Sequence, residues 1–140
     1  MMRMVLALSI AVAPALAAQG VTGTWNATFD SDITMQKDTF VVKARRPAVF
    51  VLAQKGDSVT GTWGSGSLPT VPVRGTYDGR VLRLTTGQRE SEIRVNGEAR
   101  KMMIRTDWMG SLQGNRLSGT MFVNIGDREP PARRWEADRK

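Results

Sequence analysis

Apolar and polar residues alternate with period two along most of the chain after residue 20. Val21, Gly23, Trp25, Ala27 and Phe29 fall on one side, and Thr22, Thr24, Asn26 and Thr28 on the other. Such alternation predicts a half-buried strand. A second strand runs through Phe50, Leu52 and Gln54, with residues 30–47 as a long polar connection before it. The turn Lys55-Gly56-Asp57-Ser58 leads into Val59-Gly61-Trp63, and the loop Gly64 to Pro69 leads into a fourth strand, Val71 to Tyr77. Asp78-Gly79 is a strong two-residue hairpin signal and opens the fifth strand, Val81 to Thr86, which buries Leu82 and Leu84. Residues 87–100 are ambiguous between a short accessory hairpin and extended strand ends. A sixth main strand carries Met102, Ile104, Thr106 and Trp108 on one face, and Gln113-Gly114-Asn115 turns it into Leu117 to Ile125. The eighth, Ala132 to Arg139, directs Arg133, Trp135, Ala137 and Arg139 inward.

One strand type recurs. Val-Thr-Gly-Thr-Trp stands at 21–25 and again at 59–63, with looser copies at Val73–Tyr77 and Leu117–Met121. A glycine on the buried face leaves room for a neighbour's aromatic ring and permits the sharp coil of a closed sheet. No segment after residue 20 has helical periodicity. The expectation is an all-β, single-domain, up-and-down antiparallel barrel of about eight strands. The three tight turns fall at one end and pinch it. The longer connections, 30–47, 64–70, 87–100 and 126–131, frame the other.

The first eighteen residues change the compartment. Arg3, the apolar run Val5–Ala13 and Ala15-Leu16-Ala17 have the order of a cleaved export signal, which leaves residues 19–140 as the domain. The expectation is an exported protein, periplasmic or secreted, with no membrane span in the mature chain. The chain has no Cys and no His. Disulfides, ordinary zinc sites and Ser-His or Cys-His nucleophile pairs are therefore excluded. No carboxylate pair is forced to converge, so neither enzyme, cofactor nor metal site is expected.

The Gly23-Thr24-Trp25 opening and the Trp135 to Arg139 close resemble the calycin group of small barrels. Lipocalins of that group carry a Gly-x-Trp on the first strand and a late Arg packed over the Trp. The resemblance implies a ligand-binding barrel closed by Trp25 and Arg139. Streptavidin and avidin are similar in their repeated Thr-Gly-Thr-aromatic strands. On that resemblance Ser65 and Ser31 fall at polar ligand positions, which makes biotin-type binding a minor alternative. The chain departs from that family at Ala27, where it uses an Asn, and at Trp63, where it uses a Tyr.

Within the barrel, alternation places all four Trp inward. They read either as an aromatic cage or as simple filling, since eight strands enclose little more than their own side chains. The candidate ligand-binding residues are Phe29, Phe50, Trp63, Ser65, Leu84, Met102, Ile104 and Trp135, with Arg133 as the one inward charge. That set suits a small apolar or amphipathic ligand. The formal charge of +7 arises from 15 Arg and 5 Lys against 13 acids. Acids and bases balance in the connections at the open end. The surplus lies on the walls, where Arg74, Arg83, Lys101 and Arg105 form an outward cationic stripe on strands four to six. The competing expectation is thus an interaction module that meets an anionic envelope component through this wall, with a filled interior. Nucleic acid is disfavoured because no aromatic is interleaved among these cations.

Overall fold

The computed structural model describes residues 20–36, 39–66, 69–95, 97–126 and 131–140. The expected signal peptide, residues 1–18, lies outside the described residues. Nine strands are described: β1 (Gly23–Gln36), β2 (Thr39–Lys55), β3 (Ser58–Gly64), β4 (Val71–Tyr77), β5 (Val81–Thr85), β6 (Arg89–Val95), β7 (Glu98–Gln113), β8 (Arg116–Ile125) and β9 (Arg133–Arg139). All pair antiparallel. The ring runs β1-β2-β3-β4-β5-β7-β8-β9 and closes where β9 pairs with β1, Trp25 opposite Arg139 and Phe29 opposite Trp135. The fold is a closed eight-stranded barrel with β6 added beside β7.

Sequence repeats explain the closure. At Gly61, Gly75 and Gly119 an added Cβ would lie 1.9, 1.6 and 1.9 Å from the carbonyl oxygens of Val51, Arg83 and Met109 on the adjoining strands. No side chain fits there, so these glycines are where the sheet bends tightly enough to close. Gly110 admits both backbone and an aromatic: a Cβ there would lie 2.7 Å from the Ser118 carbonyl oxygen and 2.7 Å from Cζ2 of Trp135. Three of the repeated glycines thus make room for backbone, and Gly110 on β7 for backbone and a ring together.

Alternation sorts the walls as the pattern predicts. Trp25, Phe50, Leu52, Val59, Val73, Leu82, Leu84, Trp108, Leu117, Met121 and Trp135 are buried in one core. The outward positions carry Asn26, Thr28, Thr60, Arg74, Thr76, Ser118, Arg134 and Asp138. Val49 and Val51 of β2 and Met103 and Met109 of β7 are exposed apolar residues on the same outer wall. Five aromatic rings pack from mid-height to the rim: Phe50 lies 5.4 Å from Trp108 and 5.6 Å from Trp135, and the half-buried Trp63 lies 5.5 Å from Trp108 and 5.7 Å from Phe29. Such pairs contribute about 0.5–1.5 kcal/mol each beyond the area they bury.

One expectation about the connections is corrected and one open choice is decided. Residues 30–47 are not a polar loop: β1 and β2 continue as a two-stranded ribbon, paired from Gly23 opposite Leu52 out to Gln36 opposite Thr39. Beyond the barrel neither face of a ribbon meets the core, so alternation is not imposed and its polar residues read as loop. Residues 87–100 resolve the ambiguity as a hairpin, β6 with the first half of β7. Between β5 and β6 the register slips. Thr85 lies opposite Asp107 and Arg89 opposite Ile104, four residues (85 to 89) against three (107 to 104). That extra residue is a β-bulge. Gly87 supplies its left-handed backbone at φ 69°. The hydroxyl of Thr85 accepts the Gly87 N–H, and that of Thr86 accepts the Thr106 N–H.

Candidate functional site

The two ends of the barrel differ. At the pinched end, residues 20–22 fold across the opening and bury Val21 completely. The Trp25 indole N–H donates to the Val21 carbonyl at 2.9 Å, and the Val21 N–H donates to the Gln54 side chain at 2.9 Å. Arg139 lies over Trp25, its guanidinium carbon 4.4 Å from the ring centre. The same guanidinium donates to the carbonyls of Thr22 and of Gly20, the latter at 2.8 Å. This end is sealed.

At the other end the candidates separate into two groups. Phe50, Leu84 and Trp135 are buried and serve as filling; the Trp135 indole N–H is satisfied by the carbonyls of Thr120 at 3.1 Å and Met109 at 3.4 Å. Phe29, Trp63 and Met102 are half-buried, and Ile104 lies beneath them at 7% exposure. With Val123 and Ile125 of β8, also half-buried, they form an apolar rim above the aromatic core. Ser65 spends its hydroxyl on the Pro47 carbonyl at 3.0 Å across the β2–β3 pair. Ser31 is buried at the base of the β1–β2 ribbon.

Among the described residues, arginines fall on the inner side at this end that counting the connections does not place. Phe29 lies opposite Arg46, and Met121 opposite Arg133, so both arginines fall on the inner side in register, Arg133 half-buried and Arg46 exposed at the edge. The bulge adds a third. Uninterrupted alternation from Leu82 and Leu84 would turn Glu90 inward. The extra residue instead turns Arg89 and Ser91 inward, half-buried, and Glu90 and Glu92 outward, exposed. Asp30 lies on the outer face of the wall but is buried there, where it takes the Arg134 N–H at 3.2 Å and the Arg45 guanidinium at 3.3 Å. Arg46 and Arg133 engage groups of their own. The Nε of Arg89 is buried and meets no acceptor among the described residues. Arg89 and Arg46 escaped the sequence reading because a bulge and a ribbon set their sides; the Gly87 in a strand-like run was the one available signal.

The outward stripe is broken up. Arg105 donates from Nε to Asp107 at 2.9 Å, and Lys101 lies 3.7 Å from Glu90. Arg83 rests on Met109, Nη1 to Sδ 3.2 Å, and among the described residues neither Arg74 nor Arg83 meets a carboxylate. The remaining wall acids are also paired: Glu136 lies 3.7 Å from Arg45, and Asp138 lies 3.0 Å from Arg116. The Asp138 carboxylate raises the pKa of Arg116 by hydrogen bonding to its guanidinium. A polar hollow of roughly 190 Å³ on the β1-β9-β8 wall is floored by this network, between Asp30, Arg45, Arg134 and Glu136. No family model, no curated protein and no solved structure matches this chain.

Proposed function

We propose that the protein is an exported, non-enzymatic, calycin-like barrel that binds a small amphipathic molecule across its open end. The observation that carries this reading is the difference between the two ends. One is plugged by Val21 and latched by Arg139. The other presents half-buried apolar side chains, Phe29, Trp63, Met102, Val123 and Ile125, with the half-buried Arg89 and Arg133 on the same inner side. Apolar surface left open beside a few convergent polar groups is the usual make-up of a small-molecule site. The packed aromatic rings set the depth: the ligand rests on Phe29 and Trp63 rather than entering a tunnel to Phe50 and Leu84. Export follows from the N-terminal pattern Arg3, Val5–Ala13, Ala15-Leu16-Ala17. The Gly23-x-Trp25 opening with Arg139 packed over it supports the calycin likeness.

Native mass spectrometry of the protein purified from its own host tests this. The reading predicts a bound species of small-molecule mass that exchanges for an added amphiphile. Bare protein in every preparation, unchanged by added amphiphile, contradicts it. A second reading rests on Arg74 and Arg83, whose charges no described carboxylate offsets: a weak contact with an anionic envelope polymer. It predicts salt-sensitive retention on such a polymer that Arg83→Gln reduces.

A further inference from the structure

We infer that the molecule taken at the open end carries an oxyanion head, and that Arg89 is the residue that selects it. The inference deepens the open-end reading and rests on it. Three observations converge. First, Arg89 faces inward only because the chain spends an extra residue at Thr86-Gly87; bulges of this kind re-aim a side chain where a site needs it. Second, its Nε is buried without an acceptor among the described residues. A buried polar N–H left unmade is costly, whereas an oxyanion arriving from the mouth would satisfy it through a charge-assisted bond. Third, the surroundings suit a charged head on an apolar tail. Arg89 lies opposite Ile104, which lies opposite Ile125 on the next strand, so apolar side chains flank the guanidinium. Its sequence neighbours Glu90 and Glu92 stand on the outer face, Glu90 facing Lys101, away from an incoming anion.

The planar guanidinium matches a carboxylate or phosphate edge and is always charged. Arg133, half-buried on the same inner side, and Arg46, exposed at its edge, add positive potential without giving up their own contacts. The shared chemistry is therefore an anionic oxygen head on a short apolar chain, whether carboxylate or phosphate.

Titration calorimetry with decanoate, decyl phosphate and decanol, each below its micellar concentration, tests this on the intact mature protein. One or both anions are expected to bind about tenfold or more tightly than decanol, the effect of one charge-assisted hydrogen bond. The stronger anion identifies the head. Arg89→Gln should remove most of that advantage and leave decanol affinity unchanged, and Arg89→Lys should restore part of it. Anions and decanol binding equally would overturn the inference while leaving the open-end reading intact. An anion preference unchanged in Arg89→Gln would overturn the role of Arg89. No binding by any of the three would overturn both. The wild-type comparison decides the head chemistry even where a variant fails to fold.

Discussion

Arg139 holds the closed end in three ways: its charge faces the Trp25 ring, its two terminal nitrogens reach the Thr22 and Gly20 carbonyls, and its stem covers the indole. A cation over an indole contributes roughly 0.5–2 kcal/mol, and hydrogen bonds to a charged donor about 1.5 kcal/mol each. Arg139→Ala is therefore expected to cost about 3.5–5 kcal/mol, lowering the melting temperature by roughly 15 °C in a domain of this size. Lys140→Ala, at an exposed terminal side chain, should change it by no more than about 1 °C. Equal effects of the two substitutions in a thermal melt would contradict the contact. The Trp25–Arg139 pair was legible in the sequence because both residues lie on uninterrupted strands next to tight turns, where parity and strand order fix their places. Arg89 was not, because a single inserted residue reverses parity after Thr85 and nothing in hydrophobicity marks it.

Among the elements, the repeated glycines carry the closure. Gly75 is the sharpest case, since a Cβ would stand 1.6 Å from the Arg83 carbonyl oxygen. Gly75→Ala must push β4 and β5 apart along the pairs Arg74–Thr85 to Tyr77–Leu82. The expected loss in urea unfolding is more than about 3 kcal/mol, against less than about 0.5 kcal/mol for Thr60→Ala at an exposed outward position. A Gly75→Ala variant as stable as Thr60→Ala would show that the strands need not approach so closely. Strand order and the hairpins at Gly56, Asp78-Gly79 and Gly114 followed directly from alternation and turn residues. The β1–β2 ribbon did not. Inside the barrel a strand is marked by one buried face, as in Trp25, Ala27 and Phe29, whereas Val42 on the ribbon is exposed and leaves no such imprint. The aromatic repeat was legible as inward; that Trp108 and Trp135 fill the interior while Trp63 stays half-buried follows from ring sizes and tilts that alternation does not encode.

For the whole molecule, the same closed wall produces one sealed end, a packed middle and one open end, and the proposed activity belongs to the last. The four tryptophans sample these levels: Trp25 at the sealed end, Trp108 and Trp135 in the packed middle, and Trp63 at the open rim. Their indole N–H resonances in a nitrogen-15 correlation spectrum therefore report where a molecule binds. Titration with decanoate is expected to move the Trp63 signal along a saturable course, to move those of Trp108 and Trp135 less, and to leave Trp25 unchanged. A saturable change at Trp25 with Trp63 unmoved, or heat of binding with all four signals unmoved, would place the ligand elsewhere and contradict the account.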